Sequence, residues 1–158
     1  MKVIIIEDEK AALRNLKAVM QEVNTDFEIV GEVDSIFDGV EWFRTHPMPE
    51  LVFMDIHLAD GSAFDICAQV DITCPIIFTT AYDEYALRAF KVNSVAYLLK
   101  PISMRELTEA LAEIRGKIRR KFARLLPQKP EKSGWRELLL PLLLDGFAEE
   151  AQQDDPAL

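Results

Sequence analysis

Polar residues stand at the carboxyl ends of several short apolar segments of this sequence. They belong to three chemical kinds: carboxylates, a hydroxyl and an amine. These residues are Glu7, Asp8, Asp55, Thr80 and Lys100. In an open sheet of parallel strands the carboxyl ends meet at one edge, which is where such sheets bind ligands. We therefore expect the five side chains to form one site.

The three carboxylates would repel one another at that edge, and each would tend to take up a proton unless a cation neutralised the cluster. A hard divalent cation is therefore indicated. Mg²⁺ commonly combines one or two carboxylates with water and phosphate oxygens. We expect Asp8 and Asp55 to bind Mg²⁺ directly and Glu7 to bind it through water.

Lys100 and Thr80 supply the two groups that would hold a phosphoryl group in the same place. A lysine ammonium is a point positive charge for phosphate oxygens, and a threonine hydroxyl donates a hydrogen bond to them. Asp55 is then the predicted nucleophile, which accepts the phosphoryl group in line.

Each of these residues also has an ordinary structural explanation. The acidic run Glu7-Asp8-Glu9 would favour the start of a helix, a single lysine is usually a solvated surface residue, and threonine is common in turns. Capping does not explain why all of them stand at the ends of apolar segments. The joint pattern therefore favours a phosphate site.

The segments that must position these residues alternate between short apolar runs and amphipathic stretches from residue 2 to about 120. This pattern is typical of βαβ units that build a parallel sheet covered by helices on both faces. We predict an α/β fold with five pairs of strand and helix. The predicted strands are residues 2–6, 27–33, 51–54, 75–79 and 96–99.

The helices are predicted from their apolar stripes. The first three stripes are Ala11, Leu13, Leu16, Val19 and Met20; Phe37, Val40, Trp42 and Phe43; and Phe64, Ile66, Cys67 and Val70. A short fourth helix is predicted after Tyr82. The fifth begins at Ser103, where Glu106 completes a capping box, and its stripe is Leu107, Leu111, Ile114 and Ile118.

The composition is that of a globular protein with one domain and a short appendage: 158 residues, 49% of them hydrophobic and 28% charged. A formal net charge of -9 argues against a general nucleic-acid binder or a binder of anionic membranes.

The N-terminus has no signal-peptide pattern. Cys67 and Cys74 lack the spacing of a metal or disulfide motif and are expected to be small apolar residues. We predict a cytoplasmic protein.

The character of the chain changes near residue 125. We predict a domain over residues 1–124, a linker over 125–134, and an apolar then acidic segment of unknown role over 135–158. The apolar run is broken by Pro141 and is much shorter than the roughly 20 residues of a membrane-spanning helix. The basic residues of 115–124 complement the end of a helix and need no nucleic acid to explain them.

Four motifs resemble, in order and approximate spacing, the receiver domain of two-component response regulators over about residues 1–122. They are Ile4-Ile5-Ile6-Glu7-Asp8-Glu9, Phe53-Met54-Asp55-Ile56, Phe78-Thr79-Thr80-Ala81 and Tyr97-Leu98-Leu99-Lys100-Pro101. Residues 76–85 and 96–101 are most similar to receivers of the LytTR class.

The resemblance implies a flavodoxin-like, doubly wound sheet with the strand order 2-1-3-4-5. It implies that a sensor histidine kinase transfers a phosphoryl group to Asp55. Asp8 and the backbone carbonyl of His57 would ligate Mg²⁺, and Glu7 would assist. Such a domain is a phosphoacceptor that at most catalyses its own phosphorylation and dephosphorylation.

The resemblance also implies that Thr80 and Tyr97 form a switch. The switch would remodel the face made by the fourth helix, the fifth strand and the fifth helix, and would favour a homodimer after phosphorylation. The expected output is transcriptional regulation. The alternative is a stand-alone receiver that acts only through protein contacts.

Three departures from the family pattern stand out: at Glu7, in the loop of residues 56–61 that contains His57, and in the C-terminal segment. Glu7 occupies a position where Asp is commoner. The loop of residues 56–61 is shorter than usual, although Asp60-Gly61 still predicts a turn before the third helix. His57 would suit a phosphodonor or metal ligand, but no His or Cys accompanies it, so we favour its backbone carbonyl. Residues 125–158 are too few for the DNA-binding domain of LytTR regulators, so no direct nucleic-acid binding is expected of this chain.

Two other functional classes fit less well. A phosphatase of the haloacid dehalogenase type needs a second Asp two residues after its nucleophile, where this chain has His57. A flavodoxin-like cofactor binder would place a phosphate loop after the first strand, where Glu7, Asp8 and Glu9 would repel a flavin phosphate.

Overall fold

The computed structural model describes residues 1–23, 26–81 and 94–125. The predicted fourth helix after Tyr82 and the segment 126–158 lie outside these residues. In chain order the described elements are β1 (Lys2–Ile6), α1 (Lys10–Glu22), β2 (Glu28–Val33), α2 (Ile36–Thr45), β3 (Leu51–Asp55), β4 (His57–Leu58), β5 (Gly61–Ser62), α3 (Phe64–Gln69), β6 (Ile76–Thr80), β7 (Ser94–Leu99) and α4 (Met104–Leu125).

The main sheet has five strands in the order β2-β1-β3-β6-β7, and all neighbours are parallel. This confirms the predicted doubly wound sheet, and the predicted strands agree with the observed ones to within two residues at each end. All five residues of β3 and of β6 are buried. Strands covered on both faces have no solvent-facing positions, which is why their sequences are nearly continuous apolar runs.

The face of the sheet on which each helix lies follows from the direction in which the chain crosses from one strand to the next. The crossover through α1 runs toward one edge, and those through α2 and α3 run the other way. Since parallel crossovers are right-handed, α1 lies on the opposite face from α2 and α3. On the α2 and α3 face, the helices pack on one side of the strands in a cluster that includes Ile4, Ile6, Val40, Phe43, Val52, Met54, Ile66, Ile76 and Phe78.

One residue of the predicted apolar stripe of α2 lies on the solvent side of the helix. Phe37 is 71% exposed, whereas Ile36 is buried. Ile36, Val40 and Phe43 are spaced by four and three residues and so share one helix face. Phe37 is turned about 100° from Ile36 and points away from the core.

Side-chain caps begin two of the helices. Ser35 accepts a hydrogen bond from the Asp38 N–H at 3.0 Å before α2. Before α4, the Glu106 N–H donates to the Ser103 hydroxyl oxygen at 3.3 Å, and the Glu106 carboxylate accepts from the Ser103 N–H at 3.3 Å. The predicted capping box is therefore confirmed.

The chain divides into two units between Ile114 and Arg115, within α4. The helix itself continues to Leu125, and the predicted domain boundary near residue 124 stays a prediction. No helix among the described residues combines the length and the apolar character needed to cross a bilayer. Burial raises the pKa of the Cys67 thiol to about 11 and that of Cys74 to about 12, so both stay protonated near neutral pH.

Candidate functional site

The site begins where β1 and β3 end, at the point where the strand order reverses. The Glu7 N–H donates to the Val33 carbonyl at 3.0 Å, which extends the pairing with β2 by one residue. Glu7 and Asp55 are both buried, with 6% and 5% of their surface exposed. Asp8 is less buried than either. Neighbouring parallel strands thus deliver acidic side chains to one edge, as the sequence predicts.

Glu7, Asp8 and Asp55 each place a carboxylate oxygen within 4.8 Å of the other two. Their charges are the same and two of the groups are buried, so the arrangement is costly without a compensating cation. An all-oxygen donor set of this kind fits a hard divalent ion such as Mg²⁺. The structure thus brings together the three side chains that the sequence predicts as metal ligands.

Lys100 reaches this cluster from the end of β7, just before a cis peptide bond to Pro101. Its ammonium lies 2.6 Å from Glu7 Oε2 and 2.9 Å from Asp55 Oδ2, and its side chain is 15% exposed. The Lys100 N–H donates to the Thr80 carbonyl at 2.8 Å, which anchors the backbone beside β6. One ammonium therefore bonds both buried carboxylates.

The pKa values follow from burial and these bonds. Burial, aided by the charge of Asp55, raises the pKa of Glu7 to about 7, although Lys100 and the Glu9 N–H act against the rise. Burial alone would lower the pKa of Lys100, but its bonds to Glu7 and Asp55 outweigh that effect and hold the pKa above its usual range. Lys100 therefore stays charged at neutral pH beside the two carboxylates that it bonds.

The two predicted switch residues lie on β6 and β7. Thr80 is fully buried at the end of β6 and pairs with Leu99. Tyr97 pairs with Phe78 and packs, partly buried, against the core cluster. The structure therefore places Thr80 on the strand next to Asp55 and Tyr97 one strand further away, without testing their predicted movement.

A family model for the response regulator receiver domain matches residues 3–112. The chain belongs to this family. The predicted family is therefore confirmed, and the fold agrees with it. A solved response regulatory domain of the protein mrkE from Klebsiella pneumoniae superposes with a TM-score of 0.65 at 27% identity, covering 76% of this chain and 99% of that one.

Curated relatives that match the receiver region are regulators of the LytTR class that the sequence indicates. The transcriptional regulatory protein BtsR of Escherichia coli K12 is 35% identical over 133 residues, which is 82% of this chain and 54% of the relative. The sensory transduction protein LytT of Bacillus anthracis is 35% identical over 114 residues, which is 70% of this chain and 46% of the relative. The chain thus spans about half the length of the curated relatives it matches.

The loop after the predicted acceptor residue of this receiver is an ordered hairpin. The His57 N–H donates to Asp55 Oδ1 at 3.2 Å, and the His57 side chain is exposed. His57 pairs with Ser62, and Leu58 pairs with Gly61, in the two-stranded sheet of β4 and β5. The role predicted for the His57 carbonyl stays a prediction, but its peptide lies directly beside Asp55.

Sequence reasoning missed one connection of this receiver loop. Asp60 is in the expected turn, yet its carboxylate also caps α2, accepting from the Ile36 N–H at 2.9 Å and 3.0 Å and from the Phe37 N–H at 3.3 Å. These bonds, with that of Ile36 the strongest influence, lower the pKa of Asp60. The partners are 24 residues apart in sequence, so no local pattern could have revealed the cap.

Proposed function

We propose that this chain is the phosphoacceptor domain of a two-component pathway, in which Asp55 accepts a phosphoryl group from a histidine of a sensor kinase. The observation that carries the proposal is the position of the Lys100 ammonium, which bonds both Asp55 and Glu7 inside a cluster of three carboxylates. A buried aspartate held between a fixed cation and a metal-binding donor set is equipped to receive a highly charged group.

The proposed cation is Mg²⁺, held by Asp8, Asp55 and the His57 carbonyl, with Glu7 acting through water. When bound, it would neutralise charge on the phosphoryl oxygens. Asp8 suits direct contact because it is the least buried of the three acids and lies open to the entering group. Glu7 is proposed for the indirect role because it is buried and Lys100 binds it at 2.6 Å, closer than the 2.9 Å from Lys100 to Asp55.

Asp55 is the proposed nucleophile because its carboxylate is held at both oxygens. Oδ1 accepts from the His57 N–H and Oδ2 accepts from Lys100. These bonds fix the orientation of the group before the reaction, which reduces the entropy lost on reaching the transition state. After transfer, Lys100 would bond a phosphoryl oxygen, and the Thr80 hydroxyl would turn to bond another.

The proposed switch then couples Thr80 to Tyr97. It remodels the face made by the predicted fourth helix, by β7, which is the fifth strand of the main sheet, and by α4, which is the predicted fifth helix. Leu99 of β7 and Met104 of α4 are apolar and are 41% and 49% exposed. Exposed apolar side chains favour association. We therefore propose that phosphorylation favours a homodimer through this face.

Transcriptional regulation is the proposed output of the whole protein, since the relatives include a transcriptional regulatory protein. This chain itself is not proposed to contact nucleic acid or membrane, because its formal net charge is -9. A stand-alone receiver that works by protein contacts is the alternative. Adding promoter DNA to the phosphorylated whole protein, rather than to this chain alone, separates the two outputs. A cytoplasmic location belongs to the same proposal and is consistent with the free thiols of Cys67 and Cys74.

The experiment that tests the acceptor is intact mass spectrometry after incubation with Mg²⁺ and acetyl phosphate. We expect one labile addition of about 80 Da, blocked by EDTA. Asp55→Asn should abolish it while keeping an oxygen for Lys100. The matched control is Asp34→Asn, because Asp34 is an exposed aspartate that follows β2 at the same edge of the sheet. An addition that survives Asp55→Asn, or none in the wild type, would contradict the proposal.

A further inference from the structure

The hairpin that follows Asp55 is attached to a different part of the domain at its tip. Asp60 at the tip accepts hydrogen bonds from the first two N–H groups of α2, those of Ile36 and Phe37. Both carboxylate oxygens take part, and the N-terminus of a helix favours negative charge. These hydrogen bonds are therefore charge-assisted, and they link the hairpin to α2.

A second, independent contact holds the same tip in place. Gly61 has φ +143°, and a Cβ at this position would lie 2.9 Å from the Cδ1 atom of Ile36. The hairpin backbone therefore approaches the first residue of α2 as closely as a glycine permits. Asp60 and Gly61 thus both anchor the tip on Ile36, one by hydrogen bonds and one by packing.

The base of the hairpin is where the proposed chemistry takes place. His57 lies in β4, its N–H bonds Asp55 Oδ1, and its carbonyl is the proposed ligand for the cation. The Ala63 N–H donates to the Ile56 carbonyl at 2.8 Å and closes the loop behind it. Between these fixed ends the hairpin has only two short paired strands, so few residues separate the tip from the His57 peptide.

We propose that Asp60 is a positioning residue of the phosphoacceptor site, which holds the His57 peptide in register with Asp55 by anchoring the hairpin to the N-terminus of α2. This inference rests on the proposed function. It predicts that removing the hydrogen bonds between Asp60 and α2 weakens cation binding at the site, although Asp60 is not proposed to contact the cation or the phosphoryl group. Loss of a supporting partner of a metal ligand commonly reduces affinity about tenfold or more.

A structural cap of α2 would give a different result, and the chain offers a matched control. Ser35 also caps α2, accepting from the Asp38 N–H at 3.0 Å, but it is not part of the hairpin. Asp60→Ala and Ser35→Ala should both lower the thermal midpoint by a few degrees. Only Asp60→Ala should weaken the binding of Mg²⁺ alone, measured by calorimetry, by about tenfold.

Asp60→Asn provides the rescue, because an amide oxygen can still accept from the Ile36 N–H. We expect its Mg²⁺ affinity to fall between those of the wild type and Asp60→Ala. The amide resonance of His57 should shift in Asp60→Ala and stay unchanged in Ser35→Ala. If Asp60→Ala fails to fold, the comparison of Asp60→Asn with Ser35→Ala carries the same test.

The outcomes separate this inference from the proposed function. A wild type that binds Mg²⁺ and takes up a phosphoryl group, with Asp60→Ala matching it within twofold, would overturn the role of Asp60 alone. Equal weakening by Ser35→Ala would do the same, since it would trace the effect to the helix and not to the hairpin. A wild type that neither binds Mg²⁺ nor is phosphorylated would overturn both.

Discussion

The buried carboxyl of Glu7 should make the metal-free protein less stable as the pH rises toward neutrality. Its pKa is raised from 4.5 to about 7, so the folded state holds a proton there that the unfolded chain has released. The stabilisation that this proton provides is complete below pH 4.5 and is lost as the pH rises through 7. The free energy of unfolding should fall across this window by at most about 3 kcal/mol.

The variant that isolates this effect is Glu7→Gln, which cannot ionise and whose single amide oxygen can replace one of the two carboxylate oxygens, the one that accepts from the Glu9 N–H or the one that accepts from Lys100. We expect urea unfolding in EDTA to give a steeper loss of stability between pH 5 and 8 in the wild type than in Glu7→Gln. The free energy of unfolding of the variant should therefore increase relative to that of the wild type as the pH rises. Glu28→Gln, an exposed substitution in β2, is the control and should follow the wild type.

Mg²⁺ provides the second arm of this measurement. If the cation binds the ionised cluster, adding it should stabilise the wild type most at pH 8 and flatten its pH dependence. Identical slopes for the wild type and Glu7→Gln in EDTA would refute the reasoning about burial. Different slopes that Mg²⁺ leaves unchanged would refute only the assignment of the cation. The titration of Asp60 does not interfere, because its pKa is lowered from 3.8 and its effect falls at more acid pH.

Further predictions concern other contacts of the domain. Lys100→Met should abolish the phosphoryl addition measured by mass spectrometry and lower the free energy of unfolding at pH 8 by about 3 kcal/mol, since it leaves two buried carboxylates without their ammonium. Gly61→Ala should cost about 1–3 kcal/mol in urea unfolding, because φ is +143° and the added methyl group meets Ile36. Cys67 and Cys74 should react with a thiol reagent at pH 8 far more slowly in the native protein than in urea, because burial raises both pKa values.

Much of the fold was predictable because burial on both faces leaves a direct record in the sequence. Residues 3–6 and 51–54 are apolar at every position, and the structure buries all of β3 between helices. Helix periodicity was a weaker guide at the helix ends. Phe37 falls in the predicted stripe because it is apolar. Its exposure depends on the rotation of α2 about its axis, which the burial of Ile36 and Val40 determines.

The acidic cluster was predictable for a related reason: parallel strands must end at a common edge, so polar residues at their ends converge whatever the details of packing. The structure does bring Glu7, Asp8 and Asp55 together with Lys100. The simultaneous ion pairing of Lys100 with two carboxylates was not predictable, because it depends on the reach of the side chain and on which groups are buried.

The hairpin after Asp55 shows where sequence reasoning stops. Asp60-Gly61 predicts a turn from local chemistry alone, and that turn is present. Its contact with α2 depends on the packing of two elements that the chain separates by β3, so it appears only in three dimensions. Under the proposed function, the contact of the hairpin tip with the N-terminus of α2 lets the core of the domain hold the His57 peptide beside Asp55. The missed contact would then affect the site as well as stability.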